Sequence, residues 1–330
     1  LIDADIIIAA LEIIVGLCLL TKAADIFVDG SVQLASASNV SPVVVGVVVV
    51  GFGTSTPELL VSGIAAAQGN LALGVGNVVG SNVANISLVL ATAALFVPIL
   101  VTRPVLNREA PVALLSVLLF AFLTLGGLDR WEGVLLLVAL AGVLGWIIFG
   151  GHEESVQVLS VDENATFGGS LIKSLCGLAG TVAGAELVLW GAEAAAAKLG
   201  LSEGFIGYTL VAVGTSLPEL VTTINAARKR ETELILGNLL GSNIFNSLAV
   251  GGIIAIIGPG VIEDVLLRSY GIVVMVLVAT LAWIFMVARK RVSKIEAVIL
   301  LVIYVLAILV LSELSIGTWM RHLIDLLLHG

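Results

Sequence analysis

Ten stretches of mostly apolar residues, each near the length of one bilayer crossing, constrain this chain more than any other feature. They run over 4–35, 41–66, 71–97, 108–125, 131–149, 169–197, 203–227, 233–258, 267–288 and 293–313. A helix needs about 20 apolar residues to cross the hydrocarbon core. In lipid only helices or closed barrels satisfy every backbone group, and runs this long are helical rather than alternating. The supply of charge agrees. Only 12% of the 330 residues are charged, about half the share of a soluble domain, so a water-facing surface of this size cannot be covered. A net charge of −9 has the wrong sign for gripping nucleic-acid phosphates. Cys18 and Cys176, both inside apolar runs, form neither a disulfide framework nor a metal-binding spacing. The first stretch lacks a basic leading region and continues through Lys22 and Asp25, so it reads as a span rather than a leader.

The chain is written twice. GFGTSTPELL at 51–60 returns as AVGTSLPEL at 212–220, and GNVVGSNVAN at 76–85 returns as GNLLGSNIFN at 237–246. Both matches sit at an offset of 161, and an ungapped overlay of 41–90 on 202–251 holds 19 identities in 50 positions. Each half therefore carries five spans, and an odd number turns the second half upside down in the membrane. Loop charge supports this independently. Ala67-Gln68-Gly69-Asn70 stands opposite Arg228-Lys229-Arg230-Glu231, and Leu128-Asp129-Arg130 opposite Arg289-Lys290-Arg291. With both termini outside, ten basic residues face the inner side and four the outer, with Lys22 unassigned, as the positive-inside rule asks. The expected fold is an all-α polytopic membrane protein. Its ten transmembrane helices form two inverted-topology five-helix repeats (1–150 and 169–314), with helices broken at the motifs. Residues 151–168 form a short inner linker, and the tail 315–330 reads as an interfacial amphipathic segment or a frayed end.

Inverted repeats are common in transporters whose site lies at the midplane between halves. Two glutamates occupy that level here. Glu58 and Glu219 each sit inside an apolar span, twice in register and with no Lys in the same span. A charge there costs at least ~2.5–3.5 kcal/mol, so a cation from outside is the natural counter-charge. Pro57 and Pro218 cannot donate to the carbonyls of Gly53 and Gly214, which opens each helix at the motif. Thr54 and Ser55 share a helix face with Glu58, and Asn77, Ser81 and Asn85 form a stripe mirrored by Asn238, Ser242 and Asn246. Carboxylate, hydroxyl, amide and carbonyl oxygens without His or Cys suit Ca2+, which takes six to eight oxygens at about 2.3–2.6 Å, and also Na+. Simpler readings coexist. Gly76-xxx-Gly80 and Gly237-xxx-Gly241 are also helix-packing patterns, and hydroxyls in membrane helices often bond the carbonyl four residues back.

The duplicated Gly-Thr-Ser-x-Pro-Glu-Leu and Gly-Asn-x-x-Gly-Ser-Asn-x-x-Asn motifs resemble the two α-repeats of the Ca2+/cation antiporter superfamily, most nearly prokaryotic Na+/Ca2+ exchangers. The resemblance implies four central coordinating residues, Glu58, Asn85, Glu219 and Asn246. Around them it places Thr54, Ser55, Ser81, Thr215, Ser216 and Ser242, with backbone carbonyls near Gly51 and Ala212 as further ligands. It implies exchange of Ca2+ for Na+ by alternating access, the long first and sixth spans sliding past the core. No cofactor, protein partner or nucleic acid is expected; the partners are the two ions and the bilayer of the cell membrane, and the monomer suffices. Some exchangers of this kind carry an acid where Asn246 stands, and potassium-dependent relatives use one in this region. Asparagine at both 85 and 246 limits the site's charge to −2 and argues against potassium co-transport. The loop 150–168 is too short for a calcium-sensing domain.

H+/Ca2+ exchange on the same fold stays open as the alternative coupling. An ion channel fits less well, because the ligands come from two inverted halves. An enzyme is not expected: His152, His322 and His329 lie outside the spans, and no metalloprotease or serine-hydrolase motif occurs. Asp25 and Glu186, register-matched near span ends, read as gate or interface residues, and Glu12 as a snorkelling one.

Overall fold

The structure is a computed structural model that describes residues 4–38, 42–149, 166–198, 212–262 and 264–310. Its helices, in chain order, are α1 (Ala4–Ser38), α2 (Pro42–Thr54), α3 (Thr56–Ala67), α4 (Leu71–Phe96), α5 (Glu109–Leu123) and α6 (Arg130–Phe149). The second half continues with α7 (Phe167–Lys198), α8 (Ala212–Thr215), α9 (Leu217–Arg228), α10 (Thr232–Ile257), α11 (Leu267–Arg289) and α12 over 294–310. Among the described residues seven helices are long and apolar enough to cross a membrane, and α2 with α3, bent by 45°, makes an eighth. The two other expected spans are described only over 212–228 and 294–310. The expected linker, apart from its last residues, and the expected tail lie outside the described residues.

The break between α2 and α3 falls at Ser55 (φ −83°, ψ 7°), and that between α8 and α9 at Ser216 (φ −87°, ψ 5°). Both values lie in the bridge region. A proline stands in the first turn of the helix that follows each break, where its missing N–H costs nothing. The duplicated Pro57 and Pro218 thus open both helices at the same residue, as expected.

Burial separates a core from a periphery. In their most apolar windows α4 and α10 are 78% and 83% buried, against 28% for α1, 24% for α7 and 17% for α6. The exposed apolar side chains of the peripheral helices, such as Ile14, Phe122, Val138 and Ile172, are what a lipid solvent accepts. Helix α10 crosses α2 backbone to backbone: a Cβ on Gly237 would lie 2.5 Å from the Val43 carbonyl oxygen, and one on Gly51 2.9 Å from the Gly241 carbonyl carbon. Among the described residues a Cβ on its counterpart Gly76 would meet Leu267 at 3.7 Å, and the positions equivalent to Val43 and Gly46 lie outside the described residues. The packing reading of the glycine pairs therefore holds for the second pair.

Helices α1 and α7 run antiparallel and equally close. A Cβ on Gly30 would lie 2.5 Å from the Ser174 nitrogen, and one on Gly184 2.5 Å from the Leu20 nitrogen. They join the core through apolar packing, Phe27 and Val28 in the main cluster and Leu34 and Ala35 against Val45, and through a few polar ties. Asn225 Nδ2 donates to the Thr21 carbonyl (3.3 Å), and Lys229 Nζ pairs with Asp25 (2.7 Å) and Asp29 (2.8 Å).

Short bridges join the connecting loops across the halves. Strand β1 (Ile99–Leu100) pairs antiparallel with β2 (Arg291–Val292), Ile99 opposite Val292. Leu128 and Gly260 exchange two backbone hydrogen bonds of 2.8 Å. Gly260 lies 161 residues after Ile99, so the two bridges involve equivalent loops of the two halves.

Candidate cation site

Glu58 and Glu219 stand in the first turns of α3 and α9, where a helix N-terminus favours negative charge. Both are fully buried. Glu58 Oε1 accepts from Ser81 Oγ and Ser216 Oγ, each at 3.4 Å. Glu219 Oε1 accepts from Ser242 Oγ at 3.5 Å and Ser55 Oγ at 3.2 Å. Every donor is the 161-residue counterpart of another, so each carboxylate takes one hydroxyl from its own half and one from the opposite half. The two motifs interlock.

The threonines follow the same plan. Thr54 Oγ1 lies 3.2 Å from Asn238 Oδ1, and Thr215 Oγ1 3.4 Å from Asn77 Oδ1. Each asparagine is held from behind: Asn77 Nδ2 donates to Ser62 Oγ (2.9 Å), and Asn238 Nδ2 to Thr223 Oγ1 (3.1 Å). Asn77 and Asn238 thus brace the breaks from the neighbouring helix. Thr54 also back-bonds to the Val50 carbonyl at 3.0 Å, the ordinary habit of a hydroxyl in a membrane helix. The Gly51 carbonyl, 3.4 Å from Ser242 Oγ, faces the same region, and Ala212 opens α8 at the matching register.

Asn85 and Asn246 lie on the two core helices, in the π-helical turns Asn85–Leu90 and Phe245–Val250. Such turns shift side-chain direction within a helix and recur at functional sites. Both asparagines are fully buried. Four oxygens here have no hydrogen-bond partner: Glu58 Oε2, Glu219 Oε2, Asn85 Oδ1 and Asn246 Oδ1. A buried polar atom left unpaired costs roughly 1–3 kcal/mol, more when charged, and such atoms ask for an explanation. Neither glutamate belongs to an ion pair among the described residues. Among those residues no three His, Cys, Asp or Glu cluster, so any cation held here would rest on two carboxylates and many neutral oxygens.

The structure brings the two glutamates, the six hydroxyl residues and the two asparagines to the contact of the two halves. Asp25 lies elsewhere, paired with Lys229, and Glu186 is half-buried on α7. Reading the sequence missed Asp29, which shares that lysine. It also passed over Asn82 and Asn243, fully repeated members of the second motif: Asn243 Oδ1 accepts from Asn85 Nδ2 at 3.2 Å. Their recurrence at the 161-residue offset was the available signal.

Comparison with known proteins gives the family. The sodium/calcium exchanger protein family matches residues 8–149 and 169–312, one block in each half. The sodium/calcium exchanger MaX1 of Methanosarcina acetivorans is 30% identical over 91% of this chain and 97% of its own length. The inner membrane protein YrbG of Escherichia coli is 36% identical over 84% of this chain and 89% of its own. Among solved structures, the sodium-calcium exchanger NCX_Mj, soaked with 10 mM Na+ and zero Ca2+, superposes with a TM-score of 0.82 at 32% identity, covering 92% of this chain and 98% of that one. A family match over both halves, with relatives spanning nearly the whole chain, places this membrane protein in the sodium/calcium exchanger family of transporters.

Proposed function

We propose that this chain exchanges Ca2+ for Na+ by alternating access at the contact of its two halves. Glu58, Glu219, Asn85 and Asn246 are the central ligands. Thr54, Ser55, Ser81, Thr215, Ser216 and Ser242, with the carbonyls of Gly51 and Ala212, complete the sites. The observation that carries this reading is the set of four buried, partnerless oxygens on those four central residues. A desolvated cation supplies what each of them lacks. The names of MaX1 and NCX_Mj as sodium/calcium exchangers support sodium as the coupling ion.

Charge explains obligatory exchange. Two bare carboxylates in a low-dielectric barrier are costly, whereas one Ca2+ cancels both. An empty site therefore resists switching, and only loaded forms cross. Three Na+ would leave the site at +1 and make transport voltage-sensitive. The ten spans lie as inverted repeats with both termini outside. The α1–α7 pair, packed tightly on itself, is the element that moves.

The test is Ca2+ uptake into proteoliposomes, driven first by a Na+ gradient and then by a pH gradient. Na+ alone should drive uptake, and Glu58→Gln or Glu219→Gln should abolish it. Wild-type rates in either variant would overturn the site. Uptake driven by pH and not by Na+ would make the chain a H+/Ca2+ exchanger.

A further inference from the structure

We propose that Asn243 and Asn82 are positioning residues that turn the amides of Asn85 and Asn246 oxygen-first toward the cation. The inference rests on the site proposed above and says how two neutral ligands acquire their direction.

An asparagine amide is a ligand on one side only. Its carbonyl oxygen binds a cation, while its NH2 presents two protons that repel one. In a buried site the NH2 needs an acceptor behind it. Asn85 has one: its Nδ2 donates to Asn243 Oδ1 at 3.2 Å, and its Oδ1 is left buried and partnerless. Asn243 is itself buried and lies on α10, three residues before Asn246. One half's ligand is thus aimed by the residue that precedes the other half's ligand.

The repeat supplies the second clamp. Asn82 precedes Asn85 as Asn243 precedes Asn246, and the two stand 161 residues apart. Asn82 Nδ2 donates to Ser247 Oγ (3.1 Å) and approaches Met275 Sδ (3.5 Å). Those contacts fix its amide with Oδ1 as the acceptor. That Oδ1 is buried and unpartnered, and so is Asn246 Nδ2, on the residue adjacent to Ser247. A matched donor and acceptor stand orphaned where the first half makes its bond. The clamp on Asn85 is closed and the clamp on Asn246 is open. Closing it, with Asn246 Nδ2 on Asn82 Oδ1, leaves Asn246 Oδ1 for the cation.

A double-mutant cycle on the full-length protein in proteoliposomes tests this, reading the Ca2+ concentration for half-maximal Na+-driven uptake and the maximal rate separately. Asn243→Leu should raise the half-saturating Ca2+ by about three- to tenfold, the worth of one buried neutral hydrogen bond. The maximal rate should change little. A carboxylate has oxygen on both sides and needs no aiming, so adding Asn243→Leu to Asn85→Asp should produce almost no further rise. An equal rise in both backgrounds would make Asn243 a packing residue and overturn the clamp. An unchanged half-saturation in Asn85→Ala would instead remove Asn85 from the site, and the proposed site would fail with it. Should Asn243→Leu fail to fold, Asn82→Leu with and without Asn246→Asp gives the same cycle on the other half.

Discussion

Gly237 and Gly142 are both helical glycines, yet alanine should be tolerated at Gly142 and damaging at Gly237. A Cβ on Gly237 would lie 2.5 Å from the Val43 carbonyl oxygen, 2.9 Å from the Gly46 Cα and 3.1 Å from the Val43 carbonyl carbon. All three are backbone atoms, so no rotamer change relieves the contact. To restore ordinary separation α10 must move about 1 Å from α2, and overpacking of this kind costs about 1–3 kcal/mol. Alanine's better helix propensity returns about 0.5–1 kcal/mol, which leaves a net loss of roughly 0–2.5 kcal/mol. The same movement stretches two contacts that join the halves, Ser242 to the Gly51 carbonyl (3.4 Å) and Thr54 to Asn238 (3.2 Å). Uptake should therefore fall further than stability. On the exposed face of α6 a Cβ on Gly142 would meet no described atom within 4 Å, and alanine there should be neutral or slightly stabilising. Thermal unfolding in detergent and Na+-driven Ca2+ uptake, measured on Gly142→Ala and Gly237→Ala side by side, check this. Equal behaviour of the two variants would refute the backbone contact between α2 and α10 as the source of the difference.

Two further outcomes are expected. Burial works against the charge on Lys229, but its bonds to Asp25 and Asp29 outweigh that and hold the ammonium above the ordinary lysine range. A cation with a raised pKa contributes fully below its unfolded value and loses the contribution as pH rises through its folded value. Lys229→Met should therefore be less stable than wild type by about 0.2–1 kcal/mol per partly exposed pair. The gap should hold through neutral pH and close only above about pH 10.5, as thermal unfolding across pH would reveal. Glu109 is fully buried against Arg108 at 2.6 Å. Glu109→Leu strands that guanidinium and should cost about 3 kcal/mol, whereas the double replacement Arg108→Met with Glu109→Leu should recover most of it in the same assay.

Much of the fold was legible because the physics of lipid is severe. Span edges read from apolar runs agree with the helices to within a few residues over α4, α6 and α10. The kinks were legible too, since Pro57 and Pro218 remove a specific hydrogen bond whatever surrounds them. Membership of the site was visible in the repeat, which flags Glu58, Ser81 and Asn85 with their counterparts. The wiring was not. That Ser55 serves Glu219 rather than the glutamate three residues along its own chain depends on how two halves cross. No local spacing encodes it. Asn82 and Asn243 were passed over for the same reason, because an amide's role depends on which atom faces it in space.

The sequence by itself determined that this chain crosses a membrane many times, that it is a duplication, and which oxygen-bearing residues recur. Those properties follow from local chemistry: the cost of charge in lipid, the geometry of proline, and identity at a fixed offset. Tertiary structure decided how the two copies differ. Among the described residues Asn85 has its acceptor and Asn246 does not. Two nearly equal sequences packed face to face need not adopt equal contacts, because each contact depends on the partner's position as well as on its own residue.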